Sequence, residues 1–281
     1  MSQKIKLSVV TVTYKPNQEE LKLFIESFYK FNDLGNDAKL IIVDNSPNGY
    51  WDLNKSIIKD YPQIILLPNP SNPGFGASNN KGFEYLSSEY VLFINNDVEF
   101  LEPIFKKIIY EFEQNEKIGC IGIHQKGGGP SFFKKFDAPS NIYNKTFIDK
   151  YHFISGAFMF FKSSVFIECG CFDNNIFMYL EEYDISTRLL NKGYSTVYLP
   201  NYSFLHKIKN RKVQNKNLWR IGTQSYCYVC KKHNIDPNKY FTSKHLYKLV
   251  IYFLLKLNIK EVVKILSIIR ERKHIIKAYK L

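Results

Sequence analysis

Along the first hundred residues short continuous apolar runs alternate with amphipathic stretches, the pattern of βαβ units built around a parallel sheet. Ile5–Thr13 reads as a buried strand. After Pro16, Asn17 stands three residues before Glu20 in capping-box spacing, and Leu21, Phe24, Ile25 and Phe28 then fall on one helical face. Residues 39–43, 63–67 and 90–94 predict three more strands, and 74–86 and 103–112 two more helices. Such an order predicts an open, doubly wound sheet whose ligand crevice lies at the carboxyl ends of the strands. From 127 to 144 the chain is rich in Gly, Ser, Asn and Lys with little periodicity, a long loop of the kind that often forms a lid. Regular structure resumes at 153–161, 181–190 and a strand at 195–199.

Composition narrows the classes. With 281 residues, 45% hydrophobic and 23% charged, the chain can bury a core of one or two domains, and disordered or collagen-like architectures are excluded. The formal net charge of +13 favours anionic partners. Most of the excess lies from residue 244 onward, where ten lysines and arginines stand against two glutamates. Val262, Ile265, Leu266, Ile269 and Ile276 keep helical spacing between those cations. A basic amphipathic helix of this kind fits either an anionic bilayer surface or a seat on the protein's own domain. The most apolar stretch, 246–259, is interrupted by Lys248 and Lys256 and falls short of the ~18–20 residues a bilayer crossing needs, so any membrane contact is expected to be peripheral. Five cysteines, an odd number, and an opening without a long apolar leader point to reduced thiols and a cytoplasmic protein. The expected division is a catalytic domain over 1–215 and a helical, basic extension over 216–281.

Three polar clusters end or follow strands: Asp44-Asn45, Asn95-Asn96-Asp97, and Glu181-Glu182-Tyr183-Asp184 at a helix start. Each alone is an ordinary turn-former or helix start, but their recurrence at successive strand ends points to a shared ligand. A carboxylate at Asp97 suits a hard divalent cation bridging phosphates. In the segment 72–82, Gly74 and Gly76 allow close backbone approach, and the helix that follows aims its N-terminal N–H groups at an anion. It is not a dinucleotide fingerprint, since Asn79 replaces the third glycine. Arg188, four residues after Asp184, reads as an ion pair worth about 0.2–0.5 kcal/mol. Cys227 and Cys230 lack partners at zinc spacing and read as ordinary helix thiols.

Together these segments resemble the inverting family 2 glycosyltransferases of GT-A fold, in particular their bacterial rhamnosyltransferase-like branch. The matching elements are Thr11 to Tyr14, Val43 to Ser46, Asn72 to Gly82, Ile94 to Asp97, Ser155 to Phe158, and Gly170 through Asp184 to Arg188. The resemblance implies an α/β, Rossmann-like nucleotide-diphospho-sugar transferase domain with a mixed, mostly parallel sheet flanked by helices. Its donor would be a UDP- or dTDP-sugar and its acceptor a saccharide, as in lipid-linked surface glycans of O-antigen or capsule type. By the same resemblance Thr11, Tyr14, Asp44, Asn72, Gly74, Gly76, Asn79, Asn95 and Asn96 contact the nucleotide sugar, with Asp44 at the edge of the base. Asp97 and His206 would hold Mn2+ or Mg2+, although Asn95 replaces the first Asp of the family's D-x-D motif. Glu182 takes the place of the general base, with Glu181 beside it, and Ser155 and Gly156 lie on the acceptor side. The protein would work at the inner face of the cell membrane, held by its C-terminal helix.

A second class, a non-catalytic basic module for nucleic acid or membrane, would use the 16% aromatic content for stacking. The cations, however, cluster on a helix whose other face is Ile and Leu, so no nucleic-acid partner is expected. A nucleotidyltransferase would need a glycine-rich loop after the first strand, where Thr11 to Pro16 has no glycine.

Overall fold

The computed structural model describes residues 5–48, 50–127, 142–143, 154–206, 216–235 and 244–279. It contains two compact units. The first comprises Met1–Asn175 and Glu181–Ile208, the second Ile176–Leu180 and Lys209–Leu281. Unlike the sequence division at 215, the short segment Ile176–Leu180 groups with the C-terminal helices.

The first unit is built on a nine-stranded mixed sheet. Its strands are β1 (Ile5–Thr13), β2 (Ala38–Asp44), β3 (Ile65–Pro68), β4 (Ser88–Ile94), β5 (Val98–Phe100), β6 (Ile118–Lys126), β7 (Ile142–Tyr143), β8 (Phe158–Lys162) and β9 (Ser195–His206). Their order is β3-β2-β1-β4-β8-β6-β9-β5, with β7 paired to β9. The first four strands are parallel, as the βαβ pattern predicts, whereas β8 and β5 run antiparallel to their neighbours. Since β1 sits between β2 and β4, the chain's winding reverses there, and the carboxyl ends of these strands open a crevice.

Six helices cover this sheet: α1 (Gln18–Phe31), α2 (Trp51–Ile58), α3 (Phe75–Tyr85), α4 (Phe105–Gln114), α5 (Ser163–Glu168) and α6 (Glu181–Asn191). The Asn17 side chain accepts from the Glu20 N–H at 3.2 Å, so the predicted cap is formed, and Leu21, Phe24, Ile25 and Phe28 are the buried face of α1. Helix α3 lies close on β1 and β2 because residue 82 is glycine. A Cβ there would stand 2.5 Å from one Val10 methyl and 2.9 Å from one of Val43. The core divides between the two faces of the sheet. On one face α1 and α4 meet Leu7, Val9, Leu92 and Phe160, and on the other α5 and α6 meet Val10, Val91, Phe93 and Phe161.

The second unit is helical: α7 (Lys216–Lys232), α8 (Lys244–Leu255) and α9 (Ile259–Ala278). Leu246 and Val250 of α8 pack on Val262, Ile265, Ile268 and Ile269 of α9, making an αα-hairpin around residues 256–258. Three members of that apolar face, Val262, Ile265 and Ile269, are therefore buried against a neighbouring helix of the same unit. Ile276 packs beside Cys227 and Cys230, and only Leu266 stays exposed. Buried Arg272 stacks over Trp219 at 5.4 Å, and burial lowers its pKa to about 10. All five cysteines are free. Among the described residues no helix is long and apolar enough to cross a membrane.

Candidate functional site

The site begins where β1 and β2 end. The backbone ladder continues past the strands, with the Asn45 N–H donating to Thr13 O at 2.8 Å and the Asn69 N–H to Asp44 O at 2.7 Å. Asp44 is buried, and its Oδ1 accepts from the Thr13 hydroxyl and the Ser46 N–H, each at 3.0 Å. This fixes the carboxylate at the mouth of the crevice. Tyr14, just past β1, is exposed, and the Lys15 ammonium lies 5.6 Å from its ring centroid and 5.5 Å from that of Tyr50. The hydroxyl of Thr11 is buried without a hydrogen-bond partner among the described residues.

Next to Asp44 an amide network braces the entry to α3. The Asn45 carbonyl oxygen accepts from Asn69 at 2.7 Å and from the Ser78 hydroxyl at 2.9 Å, while its amide donates to Asn72 at 3.0 Å. Asn72 has φ 44° and Gly74 φ 110°, so the chain turns sharply into the helix, and at Gly74 a side chain would be strained. Gly76 serves packing: a Cβ there would meet Phe172 at 3.1 Å and the Cγ of Glu181 at 3.4 Å. The carbonyl oxygen of Asn79 is buried without a partner among the described residues. Asn80 bridges outward, its amide donating to Phe172 O and Asn174 and its Oδ1 accepting from the Phe172 N–H. Through Gly76 and Asn80, α3 holds the chain that leads to Glu181.

After β4, the Asn95 N–H donates to Ala157 O at 3.1 Å. Asn95, Asn96 and Asp97 are half-buried. Strand β5 then pairs antiparallel with the end of β9, Val98 opposite His206. This pairing sets the buried His206 Nε2 3.1 Å from Asp97 Oδ1. The other ring nitrogen, Nδ1, is buried without a hydrogen-bond partner among the described residues. A carboxylate and an imidazole meeting at one point are a pair that could hold a divalent cation such as Mn2+. No third His, Cys, Asp or Glu joins them among the described residues, as expected when Asn95 replaces the first acid.

The third carboxylate cluster opens α6. Glu181 is 3% exposed, and Glu182 is half-buried. A Cβ on Gly156 would lie 3.7 Å from Glu182 Oε2, so the glycine keeps open the space in front of that carboxylate. Ser155 accepts from the Ala157 N–H at 3.3 Å and donates to Gln125 at 3.4 Å. The phenol of Tyr183 is pushed up by burial and, secondarily, by the Glu182 charge. Helix α6 is anchored by Asp184, fully buried and clamped by Arg188 Nε and Nη2 at 3.0 and 2.7 Å, while Nη1 donates to Cys169 O. The spacing rule treats this as a weak surface pair; burial makes it a structural one.

These contacts chain together. Asn95–Ala157 joins the Asp97–His206 pair to Gly156 and Glu182, and Gly76 and Asn80 join Glu181 to the Asn72–Asn45–Asp44 network. Sequence reasoning missed Asn69 and gave no individual role to Asn45, Ser78 and Asn80, which it had placed only within polar segments, because asparagines after strands read as turns. The signal available was their density: Asn45, Asn69, Asn72, Asn79 and Asn80 all fall at strand ends or the α3 entry. Of the loop expected over 127–144, residues 128–141 and 144 lie outside the described residues, while Ile142–Tyr143 form the short strand β7.

A family model described as "Glycosyl transferase family 2" matches residues 8–170. An uncharacterized glycosyltransferase, MJ1057, of Methanocaldococcus jannaschii is 26% identical over 95% of this chain and 94% of its own length. The N-acetylglucosaminyl-diphospho-decaprenol L-rhamnosyltransferase of Mycobacterium tuberculosis is 23% identical over 71% of this chain and 75% of its own. Among solved structures, the mannosyltransferase PcManGT from Pyrobaculum calidifontis, in complex with GDP-Man and Mn2+, superposes with a TM-score of 0.64 at 13% identity. That superposition covers 83% of this chain and 65% of the other, and the likeness is one of fold.

Proposed function

The chain belongs to glycosyl transferase family 2 and has the GT-A fold, and on that premise we propose that it moves a sugar, with inversion, from a UDP- or dTDP-sugar to a lipid-linked saccharide. The acceptor is a growing surface glycan of O-antigen or capsule type, and the enzyme acts peripherally at the cytoplasmic face of the membrane. The observation that carries the reading is the junction of Asp97–His206 with Glu182 through Asn95–Ala157 and Gly156.

In this reading Asp44 accepts hydrogen bonds from the base, Tyr14, Asn72, Gly74, Asn95 and Asn96 line the nucleotide-sugar side, and buried Thr11, Gly76 and Asn79 support it from behind. Asp97 and His206 would hold Mn2+ or Mg2+, which would supply positive charge for the departing diphosphate. Glu182 accepts the proton of the acceptor hydroxyl as that oxygen attacks the anomeric carbon, a contribution of ~10²–10⁴-fold in rate. Glu181, buried behind it and against Gly76, positions the start of α6. Gly156 and Ser155 leave room for the acceptor sugar. A single displacement, with no protein nucleophile on the far face, inverts the anomeric centre.

A thermal-shift panel of UDP-, dTDP- and GDP-sugars with and without Mn2+ tests donor and metal together. The expected result is a shift by a UDP- or dTDP-sugar that grows with Mn2+ and loses that increment in Asp97→Asn and His206→Ala. Glu182→Gln keeps the shift and loses ~10²–10⁴-fold in transfer. Folded Asp97→Ala and Glu182→Ala proteins transferring sugar at the wild-type rate would overturn the assignment.

A further inference from the structure

The second unit carries apolar surface that its own packing leaves uncovered, gathered at one end of the α8–α9 hairpin. Leu246 and Val250 face α9, yet Ile251, Leu254 and Leu255 on the other side of α8 are exposed, as are Ile259 and Val263 on α9. The turn between them raises Leu257, 85% exposed, beside Leu255 at 80%. Leu257 also has φ 51°, and the Leu257 and Asn258 N–H groups cap α8 by donating to Leu254 O and Phe253 O. This is the Schellman position, where glycine is the usual residue. A leucine that is both conformationally disfavoured and almost fully exposed is not explained by folding.

Charge selects what covers it. Lys248, Lys256 and Lys260 are exposed around the same end, and Glu261 is the one acid between Lys244 and Arg270. A second copy of the chain would press these lysines against their equivalents with too few acids to meet them. An anionic lipid surface meets both features, because headgroups neutralise the lysines while the leucines enter the acyl boundary. At about 1.5 Å per residue the twelve-residue α8 is too short to span ~30 Å of hydrocarbon, so the hairpin dips rather than crosses.

We propose that the turn of this hairpin, residues 251–263, enters the headgroup region of an anionic bilayer, turn first. The proposal rests on the lipid-linked acceptor reading above and replaces its general helix contact with a specific tip.

The test is flotation of the full chain with phosphatidylcholine vesicles with and without phosphatidylglycerol, at low and high salt. Wild type is expected to float with the anionic vesicles and to be released by salt. Leu257→Gly, which relieves the positive φ, is expected to lose roughly 10-fold or more in partitioning without a fall in melting temperature. Lys256→Glu with Lys260→Glu loses the salt-sensitive component, at about 5-fold or more per lysine. Wild-type partitioning by both variants overturns the proposal, as does self-association that Leu257→Gly abolishes in a chain that floats with no vesicle. Transfer to a soluble acceptor separates the two readings. Turnover without flotation sinks only the tip, and flotation without donor binding sinks only the catalytic assignment.

Discussion

The two units break the inside-outside rule in opposite directions. The first buries polar side chains at the sheet's carboxyl ends: Thr13, Asp44, Asn45, Asn69, Ser78, Asn79 and Glu181 are all under a tenth exposed. The second exposes leucines and isoleucines at the end of a hairpin. Folding alone favours neither arrangement, since buried polar groups demand partners and exposed apolar ones gain nothing from water. In the first unit the cost is met by interlocked hydrogen bonds, which fix a rigid rim. In the second the exposed side chains have no covering group among the described residues. The two proposals rest on that contrast, a small ligand at the buried polar cluster and a large surface at the exposed apolar one.

The comparison breaks most sharply at Arg188. If burial makes the Asp184–Arg188 pair structural, Arg188→Ala removes the cation from beside a buried carboxylate and should cost about 3–5 kcal/mol in urea unfolding. A loss near 0.5 kcal/mol would return it to the class of exposed pairs. Asn45→Ala tests the interlock itself, because it strands Asn69, Ser78 and Asn72 together. The expected loss is about 1–3 kcal/mol with weaker donor binding, and an unchanged donor shift would detach the network from the site. The smallest effect belongs to Leu257→Gly, which should raise stability by up to ~1 kcal/mol while lowering no soluble activity. A clear destabilisation would mean that the exposed leucine supports the fold after all.

Much of the first unit was legible because its signals are local. The Asn17 cap, the α1 face and the β1, β2 and β4 runs each lie within a dozen residues, and all appear within a few residues of their predicted places. Less visible were elements whose identity depends on distant partners. In β6 the glycines at 119 and 122 interrupt the apolar run, yet a Cβ at either would strike Leu189 or Ile154 near 2.5 Å. Their absence of side chains admits elements remote in sequence. In β9 the strand continues through Pro200 to His206, past where a proline suggests an end. The carboxylates stand out as polar clusters at strand ends and by motif resemblance, while the contacts that link their segments run through Gly156, Asn80 and Ala157, three ordinary residues whose roles exist only in the fold. The C-terminal helix was read for its strongest apolar face, and packing consumed that face, leaving a weaker stripe outside.

Strand β9 pairs Leu199 with Ile123 and Ser203 with His124, so residues 200–202 bulge out between consecutive rungs of its neighbour. Side chains alternate along a strand with period two, so the length of this bulge sets the phase of everything after it. Lose one residue there, with the strand re-pairing in step, and the imidazole at 206 would turn to the opposite side of the sheet, away from Asp97, though neither residue has been mutated. A three-residue detour containing a proline is thus the gear tooth that sets whether positions 206 and 97 mesh, through a change in length alone.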